Sequence, residues 1–542
     1  MPYLVRWIFT LLMKTLLLHV PKFNNFYKPV GDFLWLNYMP MGLLAVADFA
    51  DRHGLDVEVV HLGVEWVENR GFQVRELIDN RPDIGAVGMS LHWHHQAYDV
   101  MEVARRLKEI RKDIFIFLGG DTASFFHEEI IEQYPVIDAV VRGHGERPLL
   151  RLLEALRDKK GLDHVPNLAW REGDRVRKNA FSYAGDPDII SDLNYTNFSL
   201  LRHAATYVRY VGLPFFFSKG FTREQNYRYF TIRSPVFPVA IGRGCPFNCT
   251  WCSGSQVPQY RLISGLRGFI YRSHDSVIRT VKEALAAGYG VMHTAMDPEP
   301  ATQEYFIELW RRMRHEKIET QWMFECNALP SDAFIREFRK TFPSPASTVA
   351  LSPECGNEAL RLKHKGPGFT TEAFLDKMDR LDGMGVTTEI FFTYGLPGEN
   401  EDLLHDTMSL QKAIWKRYRN VRAIRTLSIE IEPGAPWHLA PERFGIVTDR
   451  ITFKDFFHAH SEKNQGTFTS FGYYIPDYFH LPLDSRRPFQ DFAGRLQAIK
   501  CRKFCFIHPN PIKGARPWQG RLFCSIVSRL TGLKPRDYSK PY

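Results

Sequence analysis

Three cysteines of this 542-residue chain fall at one tight spacing: Gly242-Arg243-Gly244-Cys245-Pro246-Phe247-Asn248-Cys249-Thr250-Trp251-Cys252. A C-x3-C-x2-C run directly after a strand-like segment can turn three thiolates toward three irons of one cubane 4Fe–4S cluster. The fourth iron then lacks a protein ligand, and that open position is where chemistry can occur. Zinc is the alternative, but a zinc site usually wants a fourth Cys or His at compatible spacing. Gly242 and Gly244 are expected to let the backbone approach the cluster, and Trp251 to shield it.

The other five cysteines are Cys326, Cys355, Cys501, Cys505 and Cys524, and none precedes Cys245. Such crowding does not suit an oxidised secreted framework, so a reducing, cytoplasmic setting is expected. Cys501-x3-Cys505 is interrupted by Arg502 and Lys503 and reads as an inert packed pair. Cys326 and Cys355 stand at strand ends, where they read first as small buried hydrophobes; a hydrogen-atom donor is the other reading. The formal charge of +9 and pI near 9.0 fit an anionic partner. Without a dense Lys/Arg block they do not make a case for nucleic acid. Leu4–Val20 is apolar, but Arg6 and Lys14 interrupt it, so neither a signal peptide nor a membrane span is expected. Residues 1–12 read as an extension before the first strand.

The cysteine loop must be held by regular elements, and two stretches supply them. In residues 14–156, apolar strand-like runs (Leu16–Val20, Val57–Leu62, Ile84–Ser90, Ile114–Leu118, Ala139–Val141) alternate with helical patterns (Gly42–His53, Ala97–Ile110, Arg147–Leu156). Fully apolar strands alternating with helices imply an α/β, doubly wound parallel sheet, Rossmann-like in architecture. Ligands of such sheets sit beyond the carboxyl ends of the strands. Those ends carry Ser90-Leu91-His92-Trp93-His94-His95, Gly119-Gly120-Asp121-Thr122 and Gly143-His144-Gly145-Glu146. Residues 161–235 read as a linker with a small hairpin, Asn167–Arg171 and Arg175–Asn179. From 236 to 448 the alternation returns, with strands at Val239–Ile241, Val291–Met296, Trp322–Glu325, Thr348–Leu351, Thr388–Tyr394 and Thr426–Ile431. Six such units suggest a partial (β/α)6 barrel with its site at the strands' carboxyl ends. Residues 449–542, rich in Phe, Tyr, His and Pro, form a small C-terminal region expected to cover the substrate.

The cysteine spacing and the aromatic before the last cysteine resemble the radical S-adenosylmethionine (SAM) superfamily. The resemblance continues through the barrel. Met296-Asp297-Pro298-Glu299-Pro300 lies where the second strand ends. Leu351-Ser352-Pro353-Glu354-Cys355-Gly356 is similar to the family's "ESG" segment, with Cys for Ser. Tyr394-Gly395-Leu396-Pro397-Gly398-Glu399 is similar to "GLPGE", and Glu432-Pro433-Gly434-Ala435-Pro436 to the "PGT" turn, with Ala for Thr. The resemblance implies that Cys245, Cys249 and Cys252 hold a 4Fe–4S cluster. It further implies that Trp251, Asp297, Glu299, Glu354, Gly395 and Glu399 surround SAM.

A parallel-sheet domain ahead of such a barrel resembles the cobalamin-binding domain of class B radical SAM methyltransferases. By that resemblance cobalamin would lie against Ser90, Leu91, Trp93, His94, Gly119, Gly120, Asp121, Gly143, Gly145 and Glu146. The D-x-H-x-x-G signature of enzymes that ligate cobalt with His is absent; the loop His92-Trp93-His94-His95 would face the lower side of the metal. The tRNA methylthiotransferases carry further cysteines in the first domain, and this chain has none there. What is implied is a radical enzyme that places a methyl group from methylcobalamin on an unactivated carbon, after a 5′-deoxyadenosyl radical removes hydrogen. A cyclisation or rearrangement without methyl transfer is equally compatible with these residues. The expected partners are a small-molecule substrate and an electron donor such as flavodoxin or ferredoxin.

Overall fold

The computed structural model of the chain describes residues 13–21, 39–69, 71–210, 235–295, 303–429, 431–459, 461, 468–469 and 473–474. Its first half is a seven-stranded sheet. The strands are β1 (Lys14–His19), β2 (Val57–His61), β3 (Ile84–Ser90), β4 (Phe115–Gly119), β5 (Ala139–Val141), β6 (Leu168–Glu172) and β7 (Arg175–Lys178), in spatial order β2-β1-β3-β4-β5-β6-β7. β1 to β5 are all parallel. Alternate side chains of each strand enter opposite cores. Leu17, Ala86 and Phe117 meet helices α1 (Met41–Asp51) and α3 (Glu146–Arg157). Leu16, Leu18, Val87 and Ile116 meet α2 (Ala97–Ile110) on the other face. Burial on both faces is why these strands read as unbroken apolar runs, and it makes the sheet doubly wound. The expected hairpin forms, and its two strands extend this sheet antiparallel at the β5 edge.

The second sheet has six parallel strands: β8 (Val236–Pro238), β11 (Val291–Ala295), β12 (Gln321–Cys326), β13 (Thr348–Glu354), β14 (Thr387–Tyr394) and β15 (Val421–Ser428), neighbours in that order. A two-stranded ribbon, β9 (Gly242–Gly244) and β10 (Phe269–Tyr271), stands apart from it. Helices α4 (His274–Ala286), α5 (Gln303–His315), α6 (Asp332–Thr341), α7 (Thr371–Gly383) and α8 (Glu401–Arg417) make the crossovers. Ser273, Ser331, Thr370 and Asn400 cap four of them by accepting a backbone N–H, each worth about 1 kcal/mol. The outer layer is aromatic: Trp310 and Phe334 pack 4.7 Å apart between ring centroids, over Phe324 of β12. One apolar core runs from Leu17 of the first sheet to Phe392 of the second.

Two strands lie elsewhere than their apolar runs indicate. The first barrel strand is 236–238 rather than 239–241, because the chain leaves the sheet after Val239 to build the β9–β10 ribbon. The last is Val421–Ser428 rather than 426–431; Ile429 and Ile431 are apolar because they pack with Trp437 and Cys355. Helix α9 (Phe453–Ala459), from the expected C-terminal region, packs against the first domain through Phe453 and Phe456.

Candidate active site

The cysteine loop hangs from β9 and is tied to three other segments. Thr250 N donates to the His364 carbonyl at 2.9 Å, and Thr250 Oγ1 lies 2.9 Å from His364 Nδ1. His364 Nε2 lies 2.9 Å from the Pro397 carbonyl, which can only accept. The proton therefore sits on Nε2, and Nδ1 accepts from the Thr250 hydroxyl. Burial depresses His364 to about 4, so the ring is neutral and this pattern holds at physiological pH. Gly366 N donates to Cys249 Sγ at 3.2 Å. Ser253 N and Oγ both donate to Glu432, at 2.8 and 2.9 Å. Trp437 N donates to the Thr250 carbonyl, and its ring packs 6.0 Å from that of Trp251.

Cys245, Cys249 and Cys252 are partly exposed and in no disulfide, and they act electrostatically on one another. Burial pushes the Cys249 thiol up, while Lys365 and the Gly366 N–H pull it down. In a cubane cluster each thiolate takes a different iron, so three thiols on one loop suffice. The donor set of three thiols on a loop clamped from three sides therefore fits the cluster.

Glu354 ends β13 with a positive φ of 62°, unusual for a residue with a side chain. Its carboxylate is buried and paired with Lys365 Nζ at 2.8 Å. Glu399 is buried too; Gly395 N donates to its Oε2 at 2.7 Å, and Oε1 has no hydrogen-bond partner. Burial pushes Glu399 up to about 7 against two backbone N–H groups that favour its charge. Asp297 and Glu299 lie outside the described residues. Lys365, His364 and Gly366 were not singled out from sequence, although the basic end of the helix Glu358–His364 in Lys363-His364-Lys365-Gly366 was a signal. Cys355 Sγ donates to the Asn357 carbonyl, and burial pushes its thiol up to about 12.

Gly242 and Gly244 are required by the ribbon itself. A Cβ on Gly242 would stand 2.1 Å from the Ile270 carbonyl oxygen, and one on Gly244 2.2 Å from that of Gly268. A side chain at either position would keep the ribbon from closing.

The other edge is formed by the carboxyl ends of β3, β4 and β5. Ser90 is partly exposed there and Leu91 fully buried. Trp93 is 38% exposed. His94 is buried, its ring 5.0 Å from that of Phe456 on α9. His92 Nδ1 lies 3.7 Å from Asp121. Gly119 has room for a side chain, with only the Val141 carbonyl inside 4 Å at 3.8 Å. Gly120 has none: its Cβ would meet the His92 backbone at 2.8 Å. The barrel reaches this edge. Gln259 Nε2 donates to Asp121 at 2.8 Å, Gly143 packs on Ile263 and Ser264, and Glu146 is 2.9 Å from Arg243, whereas Gly145 rests on Val46 of α1. His92 and Trp93 are exposed at this edge, whereas the barrel packs on the β5 end at Gly143 and Glu146.

Residues 34–153 match the B12 binding domain family, and residues 239–410 match the radical SAM superfamily. The chain is a B12-binding radical SAM protein. Its cofactors are cobalamin, a 4Fe–4S cluster and S-adenosylmethionine. An uncharacterized methyltransferase of Pyrococcus horikoshii is 24% identical over 74% of this chain and 78% of its own length. The hopanoid C-3 methylase of Methylococcus capsulatus is 28% identical over 41% of this chain, which spans only 36% of that enzyme. The anaerobic magnesium-protoporphyrin IX monomethyl ester cyclase of Rubrivivax gelatinosus is 23% identical over 74% of this chain and 66% of its own. The radical SAM methyltransferase TsrM of Kitasatospora setae superposes with a TM-score of 0.60 over 90% of this chain and 89% of that one, at 16% identity, a likeness of fold.

Proposed function

We propose that this B12-binding radical SAM protein is a C-methyltransferase acting on an unactivated carbon of a small molecule. One observation carries the reading: a clamped three-thiol loop and the glycine-rich edge of a B12-binding domain meet at one junction, joined by Gln259 to Asp121 and Arg243 to Glu146. When bound, the cluster and SAM supply homolytic chemistry and the cobalamin carries the methyl group, a division of labour for a carbon too weakly nucleophilic to attack a sulfonium.

Cys245, Cys249 and Cys252 hold the cluster in this reading. The buried Glu354–Lys365 pair offers one carboxylate and one ammonium, a match for the oppositely charged ends of an amino acid. Gly395 and Glu399 form the turn on the adenine side, with Trp251 shielding the loop. On the cobalamin side the reading keeps Ser90, Trp93, Gly119 and Gly120. The domain limits we favour are 1–160, 161–235, 236–448 and 449–542, with the hairpin strands built into the first sheet and the last segment covering substrate. Reduction would come from flavodoxin or ferredoxin in the cytoplasm. No helix of the described residues is long and apolar enough to cross a membrane.

The second reading, cyclisation or rearrangement without methyl transfer, is favoured by the cyclase relative, which matches this chain over 409 residues. Anaerobic reconstitution with cobalamin, SAM and reductant separates the two. S-adenosylhomocysteine formed in proportion to methylated cobalamin supports methyl transfer. 5′-Deoxyadenosine alone supports the second reading. Neither product from a loaded protein overturns both.

A further inference from the structure

Arg243 stands two residues before Cys245, yet its side chain does not turn to the cysteine loop. In the β9–β10 ribbon, Gly242 and Gly244 pack on the 268–270 backbone, which leaves the intervening side chain on the other side of the ribbon. There the guanidinium enters the first domain. One nitrogen lies 2.9 Å from Glu146 Oε1, another 3.3 Å from His144 Nδ1, and Tyr195 is a further partner. The Glu146 side chain is fully buried, with Tyr183 Oη at 3.5 Å from its other oxygen. Glu146 begins α3 and closes the Gly143-His144-Gly145 turn at the ligand edge.

The two loops thus share one ion pair, its carboxylate fully buried and its guanidinium 23% exposed. Arg243 cannot leave without stranding Glu146 out of water, a severe penalty. The loops therefore shift together or not at all. We propose that Arg243 is a positioning residue of the cysteine loop, anchored by Glu146, so that filling the cluster site and filling the cobalamin site are thermodynamically linked. This rests on the cofactor assignment above and gives Glu146 a different role from the direct cobalamin contact expected from sequence.

The test measures the dissociation constant of hydroxocobalamin for the full chain, with and without its reconstituted cluster. In the wild-type chain the cluster should tighten binding by about tenfold, within the usual range of coupling between sites. In Glu146→Gln that factor should fall to near one, with cobalamin affinity of the cluster-free chain unchanged. Arg243→Lys, which keeps the charge but loses the fork, should give an intermediate factor and keeps the test available should Glu146→Gln misfold. An equal loss of affinity with and without the cluster would make Glu146 a plain cobalamin contact and overturn the proposal. So would a wild-type chain that binds both cofactors without coupling. A wild-type chain that binds neither would overturn the parent reading, and the linkage with it.

Discussion

Replacing Lys365 with Met removes the one described cation paired with Glu354. The pair is 2.8 Å apart, with side chains 2% and 9% exposed. Removing one partner of so buried a pair costs about 3–5 kcal/mol, because the survivor is left as an unpaired charge. At roughly 2–4 °C per kcal/mol for a domain of this size, the melting midpoint should fall by about 6–20 °C. The double variant Lys365→Met/Glu354→Gln should recover most of the loss, and calorimetry with titration of SAM reports stability and ligand affinity on the same samples. A single variant that melts with wild type and binds SAM equally well would refute the argument that this pair is both buried and functional.

Glu399→Gln tests the second buried carboxyl: wild type should lose stability from about pH 4.5 to 7, where the unfolded carboxyl ionises while folded Glu399, held near 7, keeps its proton, and the Gln variant should show a flatter profile in pH-dependent denaturant melts. Gly366→Ala places a Cβ 2.5 Å from Asn248 N and 3.0 Å from Cys249 N, so the reconstituted variant should release iron to a chelator at least about tenfold faster, followed by absorbance. Cys252→Ala should abolish 5′-deoxyadenosine formation while leaving hydroxocobalamin binding by the first domain within about twofold in the cluster-free chain.

The cysteine loop and the order of strands were legible because their signals are local: a three-thiol spacing in one case, buried apolar runs in the other. What pairs with those residues was not. Lys365 lies 113 residues beyond Cys252 and Arg243 is 97 residues from Glu146, so only the folded chain shows that each completes a site. Apolarity also misled at both ends of the barrel sheet. Ile429 and Ile431 are buried against Trp437 and not in the ladder, whereas Val421–Ser428, with Arg422 and Arg425 in it, forms the strand. Hydrophobicity reports burial, and burial is not pairing. His94 shows the same limit at a side chain, since nothing in its loop announces that its ring packs on Phe456 of α9, 362 residues further along the chain.

Among the tightly packed glycines, Gly143 makes the case that the two halves are docked on each other. Gly120 yields to the His92 backbone, Gly143 to Ile263 and Ser264, Gly242 to Ile270, Gly244 to Gly268, and Gly366 to the cysteine loop. Of these, Gly120 serves the first domain alone, Gly242, Gly244 and Gly366 the barrel alone, and Gly143 the junction between them. A loose tether between two independent domains would not need Gly143 to clear barrel backbone at 3.1 Å, nor Glu146 to be buried against Arg243. Close approach that only glycine permits, beside a charge pair that only docking satisfies, is the signature of a junction whose geometry the chemistry depends on.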